Sequence, residues 1–223
     1  MGNRNDTQQI RHHHSQGEWK NALKPKGKSG PSLTLATDGK AQYTIVLPAK
    51  QTQQEYHAGF MLKVCLDKMT GAQFNKINEG SGNIPTGKVI SVGDTELKRT
   101  ANLDECKIDL GDEGYAIAVK DGNLFLFGSE RRGPIYAAYA FLEEDLGCRW
   151  YDRKSEPMIP CQPELKLRPV PRHFVPKLEA RSVYYWEAFS AQWALANRTS
   201  DYIARPGPVS DDTGGYIRPP FVN

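Results

Sequence analysis

The chain has no long apolar run, since none of its stretches approaches the roughly 20 consecutive apolar residues that a membrane span requires. It also has little excess of charge, because 29 basic residues oppose 26 acidic ones and leave a net charge of +3. So small an excess does not indicate nucleic acid or a membrane surface as a partner. With 39% hydrophobic and 25% charged residues, the composition is instead typical of a folded globular protein.

Short motifs that would reveal catalysis are also missing. The sequence contains no H-E-x-x-H, no G-x-S-x-G and no dinucleotide-binding fingerprint. Its four cysteines, Cys65, Cys106, Cys148 and Cys161, show no C-x-x-C spacing, which argues against a structural zinc site. Cys65 is expected to be a buried thiol. A disulfide between Cys148 and Cys161 is an alternative that would require an oxidising compartment. We therefore expect neither a metal nor a cofactor.

The first 30 residues lack the apolar core of a secretory signal. They are rich in Asn, Gln, His, Lys and Gly, and this composition predicts a disordered leader over residues 1–30. The triplet His12-His13-His14 could bind a metal weakly, but a solvated tail is the favoured interpretation.

The pattern of a folded domain begins near Pro31. The stretch "SLTLATDGKAQYTIVLP" predicts two strands joined at Asp38-Gly39, because both turn residues tolerate positive φ. The period then changes to that of an amphipathic helix, which we expect to end at Gly71. Its apolar stripe consists of Ala58, Met61, Leu62, Cys65 and Met69.

The second half of the domain repeats this order of a hairpin followed by a helix. Strand candidates "AQFNKI" and "GKVISVG" precede a hairpin at Asp121-Gly122 and a helix that begins at Pro134 and closes at Gly147. The buried stripe of that helix is Ile135, Ala138, Tyr139, Leu142 and Leu146. The order of elements predicts an α+β fold in which two helices cover one face of a sheet.

One near-match to a nucleotide-binding motif has a simpler interpretation. The stretch "GNIPTGKV" resembles a phosphate-binding loop but lacks its final Ser or Thr, and a strand pattern follows it where a helix should. It is therefore expected to be a loop that enters a strand.

The acidic residues and histidines do not suggest a catalytic pair. Glycoside hydrolysis usually needs two carboxylates on opposite sides of one bond, whereas Glu143–Asp145 and Asp211-Asp212 are sequence neighbours. Adjacent side chains on a helix diverge by about 100°, so we expect Glu143–Asp145 to form a solvated face. His57 and His173 are isolated, and each is expected to be structural.

A family resemblance rests on "LFGSERRGPIYAAYAFLEEDLGCRWY", together with "LDKMTG" at the end of the first helix. These stretches resemble the N-terminal accessory domain of glycoside hydrolases, namely domain 2 of family 20 β-hexosaminidases and the N-terminal domain of family 67 α-glucuronidases. A poorly characterised group of bacterial glycosidase-like proteins is similar as well. The resemblance spans residues 32–165 and implies a non-catalytic α+β module over 31–170. Arg131, Arg132 and Gly133 would then be turn and interface residues, with Gly133 supplying backbone freedom.

The following stretch, "PKLEARSVYYWEAFSAQWALANRTSDY", resembles the beginning of a (β/α)₈ barrel. The resemblance implies a first barrel strand over Lys177 to Phe189, a helical segment over Ser190 to Arg198, and an incomplete barrel over 171–223. It also implies carbohydrate as the partner of a longer parent protein, a barrel against which the module packs, and no activity for this chain alone. The compartment stays open: relatives of this type commonly act outside the cytoplasm, which suggests an extracytoplasmic or periplasmic location, whereas the leader shows no export signal.

Two residues carry the substrate hypothesis. In related hexosaminidases an arginine near the end of the first barrel strand binds sugar hydroxyls, and Arg181 has a comparable place, with Trp186 able to stack on a sugar face. An interdomain salt bridge for Arg181 and core packing for Trp186 remain the alternatives. A different function, a free-standing carbohydrate-binding or assembly module, would use exposed aromatic residues, namely Trp150, Tyr151, Tyr184, Tyr185 and Trp186.

Overall fold

The computed structural model describes residues 23–83, 85, 87–178, 181, 183 and 186–199. Its strands are β1 Leu33–Thr37, β2 Lys40–Ala41, β3 Tyr43–Leu47, β4 Lys76–Asn78, β5 Lys88–Val92, β6 Tyr115–Lys120, β7 Asn123–Gly128, β8 Leu165–Leu167 and β9 Arg172–Phe174. Its α-helices are α1 Gln53–Thr70, α2 Glu96–Thr100, α3 Gly133–Ala140 and α4 Ala191–Ala196. Short 3₁₀ turns occupy Asp104–Lys107 and Trp186–Phe189, and Phe141–Asp145 continue α3 as a π-helical turn.

Two sheets organise the fold. The larger has six strands in the order β4-β3-β5-β7-β6-β9, and its first four strands run parallel to one another. β6 and β9 complete it in antiparallel pairings, so the sheet is mixed. The smaller sheet has the order β2-β1-β8 and is antiparallel. The predicted α+β class is confirmed.

The helix α1 is defined by signals within its own sequence. The Thr52 side chain caps its first turn, and the Glu55 carboxylate returns a bond to the Thr52 backbone N–H at 2.8 Å, which completes a capping box. At the other end Gly71 takes the left-handed conformation, with φ of 74°. The predicted helix and its end at Gly71 are confirmed.

Both long helices lie on the same face of the large sheet. α1 and α3 contact each other and share one core with Ile117 and Leu126, whereas the alternate strand residues, such as Ala118 and Phe125, point to the opposite face. That opposite face is covered by Leu97 and the segment that follows it. All eight residues of α3 are buried, which suits a helix that is apolar all round.

The two Asp-Gly turns form as predicted. Asp38 and Gly39 have φ of 51° and 68°, and Asp121 and Gly122 have φ of 52° and 76°, the left-handed values of a tight hairpin turn. The first hairpin is nevertheless shorter than expected. After β2 the chain crosses into the large sheet, where β3 pairs in parallel with β4 and β5. All five residues of β3 are buried, and such a strand suits the centre of a parallel sheet better than a hairpin arm.

The stretch that resembles a phosphate-binding loop enters β5, as predicted. The Lys88 ammonium group donates a hydrogen bond to the Asp121 backbone oxygen at 3.0 Å, so this lysine ties the loop to the second hairpin. No helix follows the loop in the described part of the chain; the strand begins at Lys88 itself.

The expectation that Glu143–Asp145 form a solvated face is wrong. Arg198 contacts Glu143 at 2.6 Å, and Arg172 contacts Asp145 at 2.7 Å. The side chains of Glu143 and Asp145 are only 12% and 5% exposed. The error has a physical cause. Both arginines come from the C-terminal segment, so the sequence next to the acidic residues does not show that these carboxylates are paired.

The cysteines are free thiols. Cys65 is buried, as predicted, and so is Cys148, whereas Cys106 and Cys161 are exposed. A hydrogen bond to the Cys65 thiol and burial raise the pKa of the Cys148 thiol. Cys148 therefore packs beside Cys65 in the core, and the structure shows no bridge from Cys148 to Cys161.

The C-terminal segment packs onto the module. β9 pairs with β6, and Ala194, Leu195 and Ala196 of α4 are buried in the core that contains α1 and α3. α4 lies within the predicted helical segment Ser190 to Arg198. Among the described residues of 177–189 there is no strand, and the beginning of a barrel is not observed. The predictions for residues 1–22, Tyr184, Tyr185 and Asp211-Asp212 lie outside the described residues.

Asp145 makes the stability of the fold dependent on pH in an unusual direction. Burial raises the pKa of its carboxyl from 3.8 to about 6, although Arg172 acts against that shift. The folded state therefore binds more protons than the unfolded chain between pH 4 and 6, and stability falls as pH rises through that window. We expect the stability difference between Asp145→Asn and the parent to move in favour of the variant as pH rises from 4 to 6, by up to roughly 3 kcal/mol, in urea unfolding curves.

Asp94→Asn provides a control of opposite sign. Hydrogen bonds from Arg99 hold the pKa of Asp94 at about 2, so its stabilisation is present above pH 4 and lost as pH falls toward 2. Parallel curves for Asp145→Asn and the parent between pH 4 and 6 would contradict the assignment.

Candidate functional site

Three glycines bring distant parts of the chain into backbone contact. Gly114 precedes β6, Gly128 ends β7 and Gly133 begins α3. A Cβ on Gly133 would lie 2.4 Å from the Gly128 backbone and 2.6 Å from the Gly114 carbonyl oxygen. The Ser129 N–H also donates to the Gly114 oxygen at 2.9 Å. No side chain larger than hydrogen fits at this junction.

The glycine junction places Glu113 beside the two adjacent arginines. Arg132 is fully buried, and its Nη1 donates to Glu113 Oε1 at 3.0 Å. Glu113 itself is only 4% exposed, and Arg131 Nε lies 3.8 Å from the same oxygen. A buried arginine and a buried carboxylate each need a counter-charge, and here each supplies the other.

A third arginine reaches Glu113 from the C-terminal segment. Arg181 Nη2 donates to Glu113 Oε2, its Nε donates to the Arg198 carbonyl oxygen at 3.0 Å, and its Nη1 donates to the Leu178 carbonyl oxygen at 2.7 Å. Tyr136 joins this cluster, because its hydroxyl accepts from Arg132 Nη1 at 3.4 Å. We call these residues the Glu113 cluster: Glu113, Arg131, Arg132, Tyr136 and Arg181.

The Glu113 cluster borders a cavity of about 340 Å³, which is lined by Arg131 and Lys177 among others. Both carboxylate oxygens of Glu113 accept hydrogen bonds from arginines. What the arrangement does is hold two chain segments together. A second set of ion pairs, Glu143 with Arg198 and Asp145 with Arg172, holds the same C-terminal segment at the far end of α3.

The aromatic residues predicted to bind sugar differ in their exposure to solvent. Trp186 is 61% exposed, and the Arg153 guanidinium lies 4.3 Å from its ring centroid. Tyr151 is 68% exposed, whereas Trp150 is buried and contacts Tyr139 edge to face at 4.9 Å. Trp186 and Tyr151 are thus surface residues, and Trp150 is part of the core.

Neither histidine in the described part of the chain, His57 or His173, belongs to the Glu113 cluster. His57 Nε2 lies 3.3 Å from the Tyr139 hydroxyl, and burial lowers the pKa of the imidazole. His173 is exposed on β9. The described part of the chain holds no group of three or more His, Cys, Asp or Glu placed to bind a metal.

Sequence analysis missed Glu113 and Tyr136. It singled out Arg131, Arg132 and Gly133, which the structure brings together with Arg181, but it named no partner for them. Glu113 lies 18 residues before Arg131 along the chain. The sequence shows that Glu113 directly precedes a glycine and a strand. Many solvent-exposed glutamates have the same neighbours, so this pattern does not identify Glu113 as a buried partner of the arginines.

The fold and the Glu113 cluster define an α+β module that is bound to its C-terminal segment by ion pairs. Residues 31–141 match the sequence profile described as "Glycosyl hydrolase family 67 N-terminus". This part of the chain belongs to that domain family, as the resemblance implied.

Solved structures give a more distant likeness. A mutant β-hexosaminidase of Streptomyces plicatus in complex with its product GlcNAc is 13% identical, with a TM-score of 0.42. The N-acetyl-β-hexosaminidase of the same organism in complex with Thio-NAglucal is also 13% identical, with a TM-score of 0.41. Each alignment covers 69% of this chain and 25% of the solved one, so the chain spans about a quarter of their length. No curated protein matches the sequence. No helix among the described residues could cross a membrane.

We expect Gly133→Val to destabilise the module by about 3 kcal/mol or more, because a side chain there collides with backbone rather than with movable side chains. Gly39→Ala is the matched control. Gly39 has positive φ but nothing within 4 Å of an added Cβ, so only the backbone penalty of about 1 kcal/mol applies. Equal urea midpoints for the two variants would disprove the steric argument.

We expect Glu113→Gln to destabilise the protein by roughly 3–5 kcal/mol, because it leaves Arg132 buried without its counter-charge. Glu130→Gln removes an exposed carboxylate from a nearby loop and should change stability by less than about 0.5 kcal/mol. Chemical denaturation of both variants measures the difference. A similar small loss for both would show that the Glu113 cluster is not the anchor.

Proposed function

We propose that this chain supplies the N-terminal accessory domain of a glycoside hydrolase, hexosaminidase-like or α-glucuronidase-like, that acts on O-glycosyl bonds. In this proposal the domain takes no part in bond cleavage, and carbohydrate is bound by the larger enzyme. The family assignment of residues 31–141 supports the enzyme class. The contacts of the acidic residues support the non-catalytic role.

The main support for the non-catalytic role is the set of hydrogen bonds that the Glu113 carboxylate accepts. Cleavage of a glycosidic bond needs two carboxylates about 5–10 Å apart, one on each side of the bond, with a proton or an electron pair available. Both oxygens of Glu113 are bound by arginines, and those of Glu55 are bound by backbone N–H groups. These buried carboxylates hold the fold together.

Arg181 supports a role in anchoring the following chain. Its three donor nitrogens bind Glu113, the Leu178 oxygen and the Arg198 oxygen, so the guanidinium joins the module to the segment that leaves it. This arrangement favours the salt-bridge alternative for Arg181. Binding of sugar hydroxyls by Arg181 stays a prediction, as does packing of the module against a barrel.

A second candidate function is a carbohydrate-binding module. The exposure of Trp186 and Tyr151, 61% and 68%, favours it, because aromatic faces at a surface can stack on sugar rings. The Arg153 guanidinium lies 4.3 Å from the centroid of the Trp186 ring. In this alternative Trp186 and Tyr151 bind sugar without any catalytic step.

The purified chain should show no turnover of aryl N-acetylhexosaminides or aryl glucuronides above a heat-denatured control. The reason is that the Glu113 cluster holds a single carboxylate, bound through both oxygens by arginines, whereas the cleavage needs two carboxylates opposite one another. Initial-rate assays that follow the released chromophore test this. Turnover above that control would overturn the non-catalytic proposal while leaving the family assignment intact.

A further inference from the structure

Two cysteines that are far apart in the sequence meet inside the core. Cys65 belongs to α1, and Cys148 follows the π-helical turn that continues α3, 83 residues later. Both residues are 0% exposed and belong to the same core cluster. A hydrogen bond joins their thiols, so the two sulfur atoms are neighbours.

The packing of the two long helices accounts for this meeting. β3, β5 and β7 are parallel, and α1 and α3 leave β3 and β7 on the same face of the sheet, so both helices run in the same direction. His57 Nε2 on α1 lies 3.3 Å from the Tyr139 hydroxyl on α3. Cys65 is eight residues beyond His57, and Cys148 is nine residues beyond Tyr139. Eight helical residues advance about 12 Å, so both chains reach their cysteines at a similar level.

Backbone contacts hold Cys148 at this level. Gly147 takes the left-handed conformation, with φ of 81°, and ends the π-helical turn. The Cys148 N–H then donates to the Leu142 carbonyl oxygen at 2.9 Å. Because the backbone on each side is fixed, the two thiols lose little freedom if a bond joins them.

The other two cysteines are placed elsewhere. Cys106 lies in the 3₁₀ turn that follows Leu103, and Leu103 packs on the opposite face of the sheet. Cys161 is exposed. Of the pairs that four cysteines allow, Cys65 with Cys148 is the one whose thiols share a hydrogen bond.

We propose that Cys65 and Cys148 form a structural disulfide when the chain folds under oxidising conditions, with a small-molecule disulfide such as oxidised glutathione as the oxidant. One protein thiolate attacks a sulfur of the oxidant and releases a first small thiol; the second thiolate then attacks the mixed disulfide and releases another. Two electrons and the two thiol protons pass from the protein to the released thiols. This inference does not depend on the accessory role of the module.

Burial determines when the bond forms. A hydrogen bond to Cys65 and burial raise the pKa of the Cys148 thiol, so the folded chain offers little thiolate to an oxidant. The exchange therefore takes place before the core closes, and the core then protects the finished bond from reductants. A bond that closes so long a loop restricts the unfolded chain and raises the melting temperature.

Refolding of the purified chain tests the proposal. The chain is unfolded in urea with a reductant, refolded in either an oxidised glutathione buffer or a reducing buffer, and then alkylated. After tryptic digestion without reductant, mass spectrometry should detect a disulfide that joins the peptides over residues 64–68 and 133–149. The melting temperature of the oxidised protein should exceed that of the reduced protein by about 10 °C.

The matched control is the double variant Cys106→Ser, Cys161→Ser, which changes two exposed positions and keeps the core pair. It should show the same linked peptides and the same shift in melting temperature. Cys148→Ala should lose both. If Cys148→Ala fails to fold, the number of free thiols in the oxidised double variant still decides, and we expect none.

Three results would overturn the proposal. The first is that the double variant refolds in the oxidised buffer with both thiols free. The second is that the linked peptides of the parent join Cys148 to Cys161 instead of Cys65. The third is that the bond forms but lowers the melting temperature, which would show that the core must distort to accept it. Each result is independent of the glycosidase assay.

Discussion

The burial of one carboxylate, Glu113, is the constraint on which the rest of the module depends. Arg132 is fully buried and binds Glu113 at 3.0 Å, so neither charge could remain inside the protein without the other. Their meeting requires the ends of β6, β7 and α3 to approach to backbone contact, which only the glycines at 114, 128 and 133 permit. Arg181 then adds the C-terminal segment to the same carboxylate.

The parts of the fold that could be predicted are those determined by interactions within a few residues. The helix α1 has its cap at Thr52, its apolar stripe and its end at Gly71 in one continuous stretch. The hairpin turns at Asp38-Gly39 and Asp121-Gly122 depend on two residues each. These features need no information from elsewhere in the chain, so a single sequence is sufficient for them.

The parts that could not be predicted depend on partners far away in sequence. Glu143–Asp145 looked solvated because Arg172 and Arg198, which pair with them, lie in the C-terminal segment. β3 looked like a hairpin arm, but its neighbours β4 and β5 follow it by some 30 residues or more. For the candidate site, the family resemblance indicated turn and interface roles for Arg131–Gly133, whereas the choice of Glu113 as partner is made only in three dimensions.

The ion pairs at the two ends of α3 suggest why an accessory module would keep charges inside. Buried ion pairs often contribute little net stability compared with apolar packing, and their well-attested benefit is a defined geometry. Here each pair joins the module to the segment over 172–199, through Arg181 at one end and through Arg172 and Arg198 at the other. Two separated contacts fix a direction, which one contact cannot. The module thereby determines the path of the chain over residues 172–178 and 186–199 along its own surface.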